Sequence, residues 1–328
     1  MTIGTAPDPL TVSGYLAFLE REYLTSYVDQ GGAAVKLLAV GDLVVAGQLA
    51  TGLAEVGAGF QHASVDAAVT RVHLVDQVFA VVAAQVDWVG LAGEVVRAAF
   101  DLAGFPAPGR DLAIAAVARH HEIDAAELYR SVRRAVERLV LADQRLAYEF
   151  RTAMLRLCQE HLGRGDVTAE ERQTVLGWLR CERIPAGDLR RLALTSKINR
   201  ANARAMLLSL TRWLRLAGRP GLVLHLDLTR LGVVRRPPVG LRDGNYYSKA
   251  ATLDAYELLR QLIDGTDEYE GLLVAAVLPA ALVTDEVHGL PAYTALQLRV
   301  VDEVRDRRRA NPYAALAATT LAISDTTS

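Results

Sequence analysis

The chain has 328 residues, 51% of them hydrophobic and 23% charged, a balance that supports a folded core and excludes a disordered chain. The formal net charge is −2, so no overall field draws the molecule to nucleic acid. Cys158 and Cys181 belong to no close pair and no His/Cys cluster, which argues for reduced thiols and against zinc.

Residues 1–12 read as a tail without the basic and apolar regions of a signal peptide. Residues 13–29 carry Leu16, Leu19, Tyr23 and Tyr27 at helical spacing, and Gly31–Gly32 stops that helix. Strands are expected at 34–40 and 60–66, with a helix over 43–56 between them that ends at Gly57 and Gly59. Helices follow over 73–103, and "GFPAPGR" (104–110) is a loop. Residues 111–163 read as mostly helical. From Asp124 to Gly163 there is no Gly or Pro, too long a run for one globular helix, so a break is expected inside it. A short helix around Trp178 precedes a long one over 196–217, stopped by Gly218 and Pro220. The strand "GLVLHLD" (221–227), an Arg/Pro/Gly-rich loop (232–246), a helix (249–264) and the strand "GLLVAAVL" (271–278) come next. A helix around 292–306 and "RRRANPYAALA" close the chain.

Four short buried strands among many helices make an α/β fold with a small parallel sheet and extensive helical additions. Residues 13–110 and 191–328 read as the two parts of one core, and 111–190 as a helical insertion. The apolar runs are too interrupted by Gly and Pro to span a bilayer, so a cytoplasmic protein with no membrane contact is expected.

A phosphate loop follows the first buried strand and opens a helix; it needs glycines, a lysine for the phosphates and a Ser/Thr for Mg²⁺. The matching stretch is "AVGDLVVAGQLATGL" (39–53). Its spacing, started at Gly41, puts Ala46 at the second glycine, Gly47 at the lysine and Gln48 at the Ser/Thr. The charge and the metal ligand are missing, and the helix dipole supplies only about half a charge in their place. Mg·ATP is therefore not expected as a cofactor. The strand 221–227 delivers Asp227 to its C-terminal end, where a Walker B strand would hold Mg²⁺, but Leu228 follows instead of a second acid. An ordinary strand whose terminal Asp caps the next turn is the competing reading.

Three segments in order, "EYLTSYVDQGGAAVKLLAVGD" (22–42), the basic stretch running into "GLVLHLDLTRL" (178–231), and "AYELLRQLID" with the strand after it (within 249–305), resemble the BREX-type ATP-binding domain family. These are AAA+-like P-loop proteins of bacterial phage-defence clusters. The resemblance implies a P-loop NTPase sheet and other defence-system proteins as partners. It also implies a working P-loop and an acidic pair, and Gly47, Gln48 and Leu228 depart from that pattern. Gly41, Gly47, Gln48, Asp227 and Leu228 thus read as a vestigial nucleotide site.

From Leu189 to Leu226 there is no Asp or Glu. On a helix over 197–217, Lys197, Arg200, Arg204, Arg212 and Arg215 share one face, opposite Leu210, Trp213 and other apolar residues. Two readings stand: a face solvated or paired with acids elsewhere, and a contact surface for an acidic partner or a DNA or RNA backbone. Arg299 and the cluster Arg305, Arg307, Arg308 and Arg309 are candidates for a subunit contact. The histidines show no metal spacing. The expected function is a non-catalytic AAA+-like subunit that scaffolds or regulates an active ATPase, helicase or nuclease. The alternatives are an unorthodox ATPase around Asp227 and Lys36, and a nucleic-acid-binding regulator using the stripe.

Overall fold

The computed structural model describes residues 10–300 and 311–320. In chain order the elements are β1 (Leu10–Thr11), α1 (Val12–Phe18), β2 (Ala33–Val40), α2 (Leu43–Val56), β3 (Gln61–Asp66) and α3 (Val75–Ala84). Then come α4 (Trp88–Leu102), α5 (Ile114–His121), α6 (Ala125–Leu141), α7 (Tyr148–His161), α8 (Ala169–Leu179), α9 (Ala186–Arg191) and α10 (Ala203–Leu216). The chain continues through β4 (Leu222–Asp227), α11 (Lys249–Asp264), β5 (Leu272–Pro279), α12 (Ala281–Thr284), α13 (Thr294–Val300) and β6 (Leu316–Thr320). A π-helix over Leu19–Val28 continues α1, and the Asp29 N–H reaches back five residues to the Leu24 carbonyl at 3.0 Å.

The chain divides into two compact units, a sheet unit (residues up to Val82 and from Pro220) and a helical unit (Ala83–Arg219). In the sheet unit, six described strands run parallel in the order β1-β6-β2-β5-β4-β3. The fold is α/β, consistent with a P-loop NTPase-like sheet, with β5 between β2 and β4. Strands β2, β4 and β5 are near-continuous apolar runs because both of their faces are covered. One face packs Leu38, Val40, Ala275 and Val277 against Leu16, Val45, Leu49 and Leu53 of α1 and α2.

Two strands lie where the sequence predicts none. β1 falls inside the span read as a tail, and β6 in the closing motif. A two-residue strand and the small-residue run "LAATT" carry too little β-patterning to be recognised alone.

The helical unit is wider at both ends than the 111–190 span. α4 packs on α6 and α7, and Trp213 of α10 meets Phe150 of α7 edge-on, with ring centroids 6.2 Å apart. Phe150 meets Trp88 of α4 in the same way at 6.0 Å. The expected interruption after Asp124 occurs at residues 142–147, between α6 and α7. Among the described residues no single helix is long and apolar enough to cross a membrane. The bent pair α3–α4 passes on length and composition alone, and Leu91, Val95, Val96 and Phe100 of α4 are buried.

Candidate functional site

In a parallel sheet, ligands gather at the C-terminal ends of the strands. At the end of β2 the turn into α2 is two residues long, Gly41 and Asp42. Asp42 is the N-cap of α2, and its Oδ1 accepts the N–H of Val44 at 2.8 Å and of Val45 at 2.9 Å. Those are the donors an anion at this helix end would use. Gly47 and Gln48 lie not in a loop but inside α2, exposed beside a groove shared with Ser13 and Leu16. Ala46 is buried in the core. The residues aligned by P-loop spacing therefore do not surround one point. Leu43 and Val44, 74% and 61% exposed, occupy the first turn instead.

At the end of β4, Asp227 turns back on its own chain. Its Oδ1 accepts the N–H of Thr229 at 2.9 Å and the Thr229 hydroxyl at 2.6 Å. This is the turn-capping geometry of the competing sequence reading. Leu228 is buried, and its N–H donates to the Val277 carbonyl at 2.8 Å. Asp66, at the end of β3, pairs in register with Asp227, and its Oδ1 accepts the Ala68 N–H. Sequence reasoning passed over Asp66, although "HASVD" ends in an acid as "LHLD" does. One row back, buried His225 shares a 2.9 Å hydrogen bond between its Nδ1 and the Ser64 hydroxyl. Burial holds this imidazole below the usual histidine range. Among the described residues no group of three or more His, Cys, Asp or Glu is placed to hold a metal ion.

Lys36 does not serve this edge. It lies across from Ala275, two residues back along β5 from the partner of Asp227. Its Nζ donates to the carbonyls of Tyr313 at 2.7 Å and Ala314 at 3.0 Å and sits 4.4 Å from the centre of the Tyr23 ring. Burial pulls its pKa down to about 8. The amine ties β2 to the segment entering β6.

The basic stripe is not one helical face. Helix α10 begins at Ala203, so Lys197 and Arg200 lie in the segment before it, both exposed. The cause is local: the Asn202 side chain accepts the Asn199 N–H at 2.7 Å, and the Asn199 side chain accepts the Ala201 N–H at 2.8 Å. Both compete with helical bonding. Arg204, Arg212 and Arg215 are on α10 and half-buried. Arg212 pairs with Asp143 at 2.5 Å, from the turn between α6 and α7. Burial alone would raise the Asp143 carboxyl, but hydrogen bonds from Arg212 and Arg145 hold it below the usual range. Within the helical unit this arginine meets an acid from outside the stripe, as in the paired-face reading.

Arg299, on α13, grips Asp264 through Nε and Nη2, and its Nη1 donates to the Ala295 carbonyl. Asp264 is shared with Arg260, which also holds Glu257. Arg305, Arg307, Arg308 and Arg309 lie outside the described residues.

No curated protein and no solved structure matches the chain. A family model, BREX system ATP-binding protein BrxC/D, matches residues 111–318 and thus covers the helical unit from α5 onward together with β4, β5 and most of β6. The chain belongs to this family of BREX system ATP-binding proteins, a membership that ties it to BREX phage defence.

Proposed function

We propose that this chain is a non-hydrolysing AAA+-like subunit of a BREX phage-defence complex, a cytoplasmic scaffold or regulator for an active ATPase, helicase or nuclease. One observation carries the reading. The helix end where a nucleotide's phosphates would sit is already occupied by the Asp42 carboxylate, bound to the N–H groups of Val44 and Val45. A phosphate brought there loses those donors and meets a like charge. At about 4 Å and an effective dielectric near 20, each such pair of charges costs about 4 kcal/mol. No lysine follows to offset it, since Gly47 and Gln48 stand where Lys and Ser/Thr would. The side chains of Leu43 and Val44 give the same helix end an apolar surface suited to a protein contact.

Affinity capture of the natively expressed chain from phage-challenged cells, with mass spectrometry of what co-purifies, tests the subunit role. A stoichiometric partner with an intact P-loop is expected, and its loss on Leu43→Asp/Val44→Asp would place the contact. A chain that captures no defence protein would count against the proposal.

A further inference from the structure

A cavity of about 530 Å³ opens in the sheet unit among residues that neither the phosphate-loop position nor α10 contributes. Its wall comes from two segments that leave neighbouring strand ends. Arg71 and His73 follow β3, and Arg236, Arg242, Tyr246 and their neighbours lie between β4 and α11.

The two segments are fastened together. The Asn245 N–H donates to the Ala68 carbonyl at 2.7 Å. Buried Tyr247 places its hydroxyl against the carbonyls of Ala67 and Thr70, and that oxygen accepts the Val72 N–H at 3.2 Å. Gly244, at φ +152°, approaches so closely that a Cβ there would stand 2.8 Å from the Ala68 oxygen. The cavity is therefore held in shape by backbone contacts, not left to an open loop.

Its charge is one-sided. Asp243 is the one acid between β4 and α11, and Arg230 takes it at 2.7 Å while also donating to the Asn245 carbonyl. Residues 67–74 contain no acid. Among the described residues Arg71, Arg236 and Arg242 form no ion pair. Three exposed guanidinium groups thus border a preformed cavity, with the ring of Tyr246, 37% exposed, on the same wall. Guanidinium matches phosphate oxygens in geometry as well as charge, and an exposed tyrosine ring stacks bases. The volume lies in the range of small-ligand sites.

We propose that this cavity binds a nucleotide unit, free or within a single strand, through phosphate on Arg71, Arg236 and Arg242 and base on Tyr246. The site is separate from the Asp42 helix end, so it stands whether or not the chain hydrolyses ATP.

The test titrates the purified full chain with ADP in the absence of Mg²⁺ by calorimetry, and with a fluorescein-labelled oligothymidylate of roughly a dozen nucleotides by anisotropy. Binding of at least one ligand is expected. Arg71→Gln/Arg236→Gln should weaken it tenfold or more, and Tyr246→Ala about tenfold, with melting temperatures preserved because these side chains are exposed. Oligonucleotide binding displaced by ADP assigns a nucleotide pocket shared by both, and oligonucleotide binding alone assigns a strand site. For a strand meeting three arginines, log affinity should fall against log salt with a slope of about −2. Lys197→Gln/Arg200→Gln should change nothing. Failure of both ligands to bind at about 1 mM in low salt would overturn the proposal, as would undiminished binding by Arg71→Gln/Arg236→Gln.

Discussion

Gly221→Ala should be among the most damaging single-methyl changes in this protein. Gly221 leads into β4 beside Gly271, which leads into β5. A Cβ on Gly221 would fall 2.0 Å from the Gly271 oxygen, 2.6 Å from its carbonyl carbon and 2.9 Å from its Cα. Ordinary contact begins near 3.4 Å, and the obstructing atoms are backbone, so one strand entry must retreat by about 1.4 Å. That motion breaks the Leu222 N–H bond to the Gly271 carbonyl, now 2.7 Å, and strains the Gln61 N–H bond to the Gly221 carbonyl, now 2.9 Å. Overpacking costs about 1–3 kcal/mol, a lost hydrogen bond about 1, and the positive φ of 149° about 1–2 for a residue with a Cβ. The expected loss is about 3–6 kcal/mol, a large part of a typical total stability. Urea denaturation followed by far-UV circular dichroism measures it. Tryptophan fluorescence would not serve, because Trp88, Trp178 and Trp213 all lie in the helical unit. The matched control is Gly47→Ala. Gly47 sits inside α2 with open space around its Cβ position, so alanine should stabilise by roughly 0.5–1 kcal/mol. A loss below about 1 kcal/mol in Gly221→Ala would refute the close-approach argument. A destabilised Gly47→Ala would refute the placement of that glycine in a helix.

Trp213→Ala, which empties the fully buried position between Phe150 and the rest of the helical core, should cost about 3–5 kcal/mol in the same denaturation experiment. Arg212→Glu should destabilise by about 2 kcal/mol, where an exposed position would show little change, because Asp143 is 9% exposed and loses its charged donor; an unaltered melting curve would sink that pairing. Glu257 is held at about 2 by hydrogen bonds from Arg260, Tyr293 and Gln261. Its folded pKa lies below the ordinary 4.5, so its stabilisation is fully present above pH 4.5 and lost as pH falls towards 2. The gap in urea midpoint between wild type and Glu257→Gln should therefore close between pH 5 and pH 2, and a gap constant across that window would contradict the network.

The central strands and α2 were legible because their residues carry the signal themselves. "AVKLLAV" and "GLLVAAVL" are near-continuous apolar runs, and the helix expected over 43–56 matches α2. β1 and β6 were not legible, because they become strands through pairing, β1 with β6 and β6 with β2. The start of α10 was read too early. The side chains of Asn199 and Asn202 hold a turn that stops the helix from forming before Ala203, a role that helical spacing does not reveal. In the candidate site, the missing lysine and second acid could be seen at Gly47 and Leu228. The register that sets Asp66 beside Asp227 and the pairing of Arg212 with Asp143 across 69 residues are tertiary facts, whereas the reach of Asp42 to two N–H groups is a local cap whose consequence for an anion shows only once the helix end is seen. The Arg-, Pro- and Gly-rich loop at 232–246 was visible as a loop, but its docking beside Arg71 was not.

The most direct measurement is Mg²⁺-dependent ATP hydrolysis by the purified chain, in parallel with Asp227→Ala. A helix end closed by Asp42, with no lysine in the loop and Leu228 in place of an acid after Asp227, predicts no turnover above background in either protein. Turnover by the wild type that disappears in Asp227→Ala would show a working site at the end of β4 and contradict the account.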